Sequence, residues 1–169
     1  LEYFEKQGMK KIPSHGALPV SVPGAVDGWF ELHKKFGSKP MTEILAPAID
    51  YAEKGFPLTE LIAWYLNRSI PFYQSKNFPN LKETYINQNG GKLPNEGEIY
   101  KNPFLANTYR KIAKGGRDAF YKGDIAKTIG EFIKEQGGFL SEKDLAAHKS
   151  EWVQPVSINY RGYDVWELP

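Results

Sequence analysis

The chain contains no cysteine, which excludes disulfides and thiolate metal sites but leaves the cellular compartment undecided. Its three histidines lack a second histidine or a carboxylate at the spacing of a zinc-binding helix. We therefore predict neither a metal site nor a cofactor. No apolar run approaches the roughly 20 residues of a membrane span. No signal peptide is visible, and this leaves secretion open.

The net charge is also small. The 22 basic residues nearly balance the 20 acidic ones, which gives a formal net charge of +2. The lysine pairs at 10–11 and 34–35 are too small for a nucleic-acid-binding stripe. A hydrophobic content of 41% and an aromatic content of 14% are typical of a globular domain. They also suit a fragment whose apolar surface a partner covers. The start at Leu1 and the end at Pro169, just after a strand-like run, favour the fragment.

Helical patterns dominate the first half. Pro23 and Gly24 precede a helix that ends with Gly37 as its cap. The next apolar stretch, 42–54, contains Pro47, and because a mid-helix proline lacks a donor, we predict two short helices there.

Thr59 is a suitable N-cap for a further helix, predicted to end before Pro71. Residues 71–101 are broken by proline and glycine, and a long excursion with a possible short hairpin is expected there.

The second half begins with Asn102-Pro103, predicted as N-cap and first residue of a helix that Gly115-Gly116 ends. A strongly amphipathic helix follows from Gly123 to Gln136. Ser141 and Asp144 resemble a capping box for a short helix over 142–147.

The apolar period then changes from helical to alternating. Residues 156–160 and 163–168 alternate on either side of Arg161-Gly162, which predicts a β-hairpin. The predicted fold class is α+β, mainly α-helical with a C-terminal hairpin. We divide the chain into an irregular leading segment (1–21), a helical portion (22–150) and a strand pair (151–169) that leads into a core sheet.

No residue pattern predicts a catalytic, substrate-binding or metal site. The histidines, at positions 15, 33 and 148, are interpreted as structural or exposed, and Ser14 does not lie in a nucleophile elbow. Gly90-Gly91-Lys92 and Gly115-Gly116-Arg117 lack the spacing of phosphate-binding loops and are interpreted as stop signals. Arg161 is the one basic residue considered as a possible binding residue, but we interpret it as part of a turn.

Five motifs in order nevertheless resemble one family. They are VPGAVDGW (22–29), LAPAIDYAEKGF (45–56), GGRDAFYKGDIA (115–126), GGFLSEKDLA (137–146) and YRGYDVWELP (160–169). Together they resemble the large-subunit portion of the gamma-glutamyltranspeptidase family. This resemblance implies an N-terminal-nucleophile hydrolase with a four-layer α/β/β/α core, made by self-cleavage into two subunits. The N-terminal threonine of the small subunit would attack the gamma-glutamyl carbonyl of glutathione or a related amide, with its own amine as base.

The resemblance transfers no catalytic or substrate-binding residue to this chain. The family's nucleophile lies in a threonine-histidine segment, and no threonine here precedes a histidine (Thr42, Thr59, Thr84, Thr108, Thr128). The arginine that grips the substrate carboxylate lies upstream of what would be Leu1. The implied role is scaffold. Four glycines would hold special backbone geometry: Gly24, Gly55, Gly123 and Gly162.

The implied partners are the small subunit, the remainder of the large subunit, gamma-glutamyl compounds, and amino-acid or water acceptors. Bacterial members are often periplasmic or secreted, although cytoplasmic ones occur. An acylase or a poly-gamma-glutamate-processing relative of the same fold is an alternative. A non-catalytic helical interaction module is a second one, but the terminal run 156–168 argues against it, because an isolated two-stranded ribbon is marginally stable.

Overall fold

Helices build most of the protein, whose computed structural model describes residues 2–169. The helices are α1 Glu2–Lys6, α2 Ala25–Phe36, α3 Met41–Lys54, α4 Glu60–Ser75, α5 Leu81–Tyr85, α6 Pro103–Tyr121, α7 Asp124–Glu135 and α8 Glu142–Ala147. The strands are β1 Phe56–Pro57, β2 Ile99–Tyr100, β3 Val156–Tyr160 and β4 Tyr163–Glu167. The α+β fold class, mainly helical with a C-terminal hairpin, is confirmed. Within the described residues, no helix is both long and apolar enough to cross a bilayer.

The hydrophobic core lies where α2, α3, α6, α7 and α8 meet. Helices α3 and α6 pack against each other along most of their length, and α7 packs on α6. Burial of these apolar faces is the main stabilising contribution, at about 25 cal/mol per Å² removed from water. The buried members of this cluster are Val26, Leu45, Ile112, Tyr121, Ala126, Ile133, Leu140 and Leu145.

Helix starts follow their local signals. The Asn102 side chain accepts the Leu105 N–H at 3.0 Å, and Pro103 occupies the first helical position of α6, as predicted. Helix α7 is confirmed as well. At α8 the capping box is present in both directions, because Ser141 Oγ accepts the Asp144 N–H and Asp144 accepts the Ser141 N–H at 2.9 Å.

Two predicted helix ends at prolines are wrong. Helix α3 runs through Pro47 to Lys54, and α4 runs through Pro71 to Ser75. A proline removes one backbone hydrogen bond, but packing on both sides of it can compensate. Helix α3 buries Leu45 before Pro47 and Ala52 after it.

Three further local predictions need correction. Segment 71–101 contains α5 and a short 3₁₀ turn rather than an internal hairpin, and Ile99–Tyr100 instead pairs antiparallel with the distant Phe56–Pro57. Helix α1 lies in the segment predicted to be irregular, with the Tyr3 ring 4.9 Å from the ring of Phe139. Gly116 does break α6, at φ 68° and ψ −163°, but helical structure resumes at once and reaches Tyr121.

The hairpin is confirmed in detail. Tyr160 pairs with Tyr163, and the turn residues between them, Arg161 and Gly162, have φ values of 53° and 86°. Positive φ at both turn residues is the geometry that matches the strand twist. Every residue of both strands is exposed. The described chain therefore leaves both faces of this ribbon uncovered.

Special backbone geometry is present at two of the four predicted glycines, Gly55 with φ +90° and Gly162 with φ +86°. A Cβ at Gly55 would also clash with a methyl group of Ile99. Gly123 has an ordinary φ of −97°, and glycine is needed there for space, because a Cβ would lie 2.9 Å from the Ala119 carbonyl oxygen. Gly24 has φ −90°, and a Cβ there would make an ordinary 3.4 Å contact with His148, so this position does not require glycine.

Candidate functional site

The candidate residues from the sequence do not converge on one site: Ser14 contacts only the neighbouring His15, and His33, His148 and Arg161 lie apart from them. His15 is exposed and shares a 2.9 Å hydrogen bond with Ser14, while His33 Nε2 lies 2.6 Å from the Lys39 carbonyl oxygen. Arg161 remains in its turn, with its guanidinium 5.3 Å from the neighbouring Tyr160 ring. Across residues 2–169, no group of three or more His, Asp or Glu side chains could hold a metal ion.

A buried polar cluster instead forms around Asp27, in the first turn of α2. We call it the Asp27 cluster, and its members are Asp27, Arg117, Tyr121, His148 and Ser150. Asp27 is 3% exposed and is the one charged residue classed as buried between positions 2 and 169. A buried charge is costly unless it is paired and hydrogen-bonded, so its partners define what the cluster does.

The Asp27 carboxylate is satisfied from two directions. Arg117 Nε donates to one oxygen, and the Ser150 backbone N–H donates to the other. The same arginine donates from Nη2 to the His148 carbonyl oxygen. Arg117 directly follows Gly116, where α6 is broken. Just after this break, the Arg117 guanidinium lies between α2 and the end of α8.

Aromatic rings cover the ion pair. The fully buried Tyr121 ring stacks on His148 with centroids 5.3 Å apart and planes 22° apart. The Arg117 guanidinium carbon lies 4.5 Å from the Tyr121 ring centre. His148 Nε2 lies 3.7 Å from an Asp27 oxygen and has no hydrogen-bond partner among residues 2–169. His148 is the C-cap residue of α8, in agreement with its predicted position near a helix end.

The cluster contains an ion pair, Asp27 with Arg117, beside the neutral phenol of Tyr121. Burial alone would raise the pKa of Asp27, but hydrogen bonds from Arg117 and Ser150 outweigh burial and hold that pKa below its usual value. The pKa of Arg117 is raised, since the bond to Asp27 outweighs its own desolvation. Burial raises the pKa of Tyr121, so its hydroxyl stays protonated near neutral pH.

This arrangement braces the fold and offers no accessible reactive group, since the unpaired His148 Nε2 is itself buried. Both Asp27 oxygens are engaged, its low pKa makes it a weak base, and the phenol is neutral and enclosed. The sequence analysis missed Asp27 and Arg117, because the partners are 90 positions apart. A signal existed, since Asp27 is an acidic residue between the apolar Val26 and Trp29 on the helix.

Comparison with known proteins identifies the family to which this chain belongs. The family model described as gamma-glutamyltranspeptidase matches residues 1–169. The chain is 35% identical over 164 residues to the glutathione hydrolase-like YwrD proenzyme of Bacillus subtilis, covering 96% of this chain and 30% of that protein. It is 32% identical to the glutathione hydrolase proenzyme of Pseudomonas aeruginosa, covering 99% of this chain and 29% of that protein.

A solved structure agrees with these relatives. The cephalosporin acylase of Bacillus halodurans superposes with a TM-score of 0.90 at 37% identity, over 99% of this chain and 32% of that one. The chain thus spans about 30% of the length of the curated relatives it matches. The match over its whole length shows that the chain belongs to the gamma-glutamyltranspeptidase family.

Proposed function

We propose that this chain is a scaffold segment of the large subunit of a gamma-glutamyl transferase/hydrolase. The observation that carries the proposal is a family match over residues 1–169 in a chain spanning about 30% of its relatives. The Asp27 cluster supports the scaffold role, because Asp27, Arg117 and Tyr121 bond to one another and to backbone groups, and the unpaired His148 Nε2 is itself buried. Residues 22–150 form the helical portion in this proposal, and residues 151–169 lead into the core sheet.

The chemistry belongs to residues outside this chain. A threonine hydroxyl at the start of the small subunit attacks the gamma-glutamyl carbonyl, and the threonine's own amine takes the hydroxyl proton. The amine of the donor leaves with a proton, and an ester remains on the threonine. Water or an amino-acid amine then attacks this ester, which regenerates the hydroxyl and releases glutamate or a new gamma-glutamyl amide.

The partners of this segment are the small subunit and the rest of the large subunit. The relatives are named proenzymes, which supports self-cleavage in the parent. That cleavage is hydrolysis of one peptide bond, in which the hydroxyl of water goes to the carbonyl carbon and a proton goes to the threonine nitrogen. The exposed β3–β4 ribbon supplies strand edges that a neighbouring part of the sandwich would pair with.

An acylase or a poly-gamma-glutamate-processing activity is the second candidate. It is supported by the cephalosporin acylase superposition and by 38% identity over 151 residues to the capsule biosynthesis protein CapD proenzyme of Bacillus anthracis, covering 89% of this chain and 26% of that protein. All of these share the fold, so the choice depends on groups that touch substrate.

The test is the intact mass of the product of the complete gene, with N-terminal sequencing of any smaller band. A band that begins with threonine supports the proposal, and turnover of glutathione, an N-acylated cephalosporin and poly-gamma-glutamate then separates the candidates. A single unprocessed species near 19 kDa would contradict the proposal and favour a stand-alone helical module.

A further inference from the structure

One face of α2 carries a row of side chains that holds the segment leading to the hairpin. Asp27, Glu31 and Lys35 are spaced by four, so they lie along one side of the helix. The segment 148–152, which we call the strap, runs along this row. It links the end of α8 to the short segment 153–155 before β3.

The strap is fixed at its first end by the Asp27 cluster. The His148 carbonyl accepts from Arg117, and the Ser150 N–H donates to Asp27. Two charged groups thus hold two backbone groups of the strap, and charge-assisted bonds of this kind are roughly twice as strong as neutral ones. If this end moved, one oxygen of the buried Asp27 and one N–H of Arg117 would lose their hydrogen-bond partners, which is costly for charged groups.

The second end is fixed by Trp152. Its indole N–H donates to Glu31 at 3.2 Å, and Lys35 Nζ lies 3.9 Å from the centre of its ring. The Phe36 ring meets it edge-on at 6.0 Å. Trp152 is half exposed, so these contacts orient it rather than bury it.

Both ends of the strap meet the same helix. Ser150 bonds to Asp27 and Trp152 bonds to Glu31, so two strap residues spaced by two contact two helix residues spaced by four. The chain reaches β3 four residues later.

We propose that this row on α2 is a positioning device that sets where the β3–β4 hairpin enters the core sheet, with the contacts of Trp152 to Glu31 and Lys35 as its second anchor. The proposal rests on the proposed function and deepens it. Self-cleavage needs the sheet assembled in register, and a misplacement of about 1 Å can cost up to about a hundredfold in rate.

The test uses the full-length proenzyme and follows its self-cleavage rate and its melting temperature together. We expect W152L to slow cleavage about tenfold and K35A about threefold, with melting temperatures within about 2 °C of the wild type. The neighbouring K34A is the matched control, because Lys34 is exposed and makes no such contact with Trp152. K35R keeps the cation over the ring, so it should keep the wild-type rate.

The inference would be overturned if W152L and K35A both cleaved at the wild-type rate. It would also be overturned if, in every variant including K34A, the cleavage rate fell in proportion to the melting temperature. A wild-type chain that never yields a threonine-led subunit would overturn the proposed function itself, and the inference with it.

Discussion

The Tyr121 hydroxyl lies 2.6 Å from the carbonyl oxygen of Pro23 and 3.0 Å from the backbone nitrogen of Asp27. It donates to the first and accepts from the second. One buried phenol therefore satisfies two backbone groups at the start of α2, where a helix leaves its N–H groups without intrahelical partners.

Replacing Tyr121 by phenylalanine should lower the free energy of unfolding of the 169-residue chain by about 1–3 kcal/mol, because two buried backbone groups lose their partner. Tyr51→Phe is the control, since Tyr51 is 61% exposed and should change stability by less than about 0.5 kcal/mol. Urea unfolding measures both. Equal midpoints for the two variants would contradict the assigned role.

The Asp27–Arg117 pair should make stability depend on pH in the acid range. The pKa of Asp27 is lowered in the folded state from 3.8, so its contribution is complete above about pH 5 and is lost as the pH falls below about 4. Wild type should therefore exceed Asp27→Asn in melting temperature near neutrality, and the gap should shrink below pH 4. A gap that is constant from pH 3 to pH 7 would argue against an ionised Asp27.

Gly55→Ala should destabilise the chain by about 1–3 kcal/mol, because φ is +90° and the added methyl group would meet Ile99 and the Tyr100 carbonyl. Gly28→Ala is the matched control inside α2. A Cβ at Gly28 meets nothing within 4 Å, so alanine should stabilise the helix by about 0.5–1 kcal/mol. Opposite shifts in the urea midpoint are the expected result.

Trp166→Ala should impair folding or self-cleavage of the full-length protein, because Trp166 is 60% exposed in this chain and the sheet would cover it there. Trp166→Phe keeps an apolar ring and should mature more nearly like wild type. Maturation is followed by the appearance of the small subunit. A Trp166→Ala enzyme that matures normally with only a raised KM would contradict a core position.

The purified 169-residue chain should not turn over gamma-glutamyl-p-nitroanilide. The proposal places its nucleophile elsewhere, and the Asp27 cluster offers no accessible base, because both Asp27 oxygens are bonded and His148 Nε2 is buried. Release of p-nitroaniline measures the activity, with the full-length protein as positive control. Turnover by the chain at a rate comparable to the full-length protein would show that the machinery lies within it.

Local signals predicted the elements whose causes are local. Asn102-Pro103 caps α6 with its own side chain, and Ser141 with Asp144 caps α8, so a few neighbouring residues suffice. Pro47 and Pro71 misled the prediction, because the helices around them are held by packing that neighbouring residues do not encode.

Local sequence signals did not predict the Asp27 cluster, because its members are far apart in the sequence. Its ion pair joins positions 90 apart, and Ser150 is 123 positions from Asp27. An acidic residue in the first turn of α2 has a sufficient local explanation in the helix dipole. Its burial becomes visible once the ends of α6 and α8 are placed beside it.

The break at Gly116 divides α6 into two parts with different partners. Before Gly116, Arg110 pairs with Glu53 of α3. After it, Arg117 bonds to Asp27 and to His148, and Tyr121 bonds to Pro23 and Asp27. In an alignment of relatives, substitutions should therefore covary with α3 up to position 115 and with residues 23–27 and 148–150 from position 117 onward, so that a boundary between two coevolving groups would fall at the break within α6.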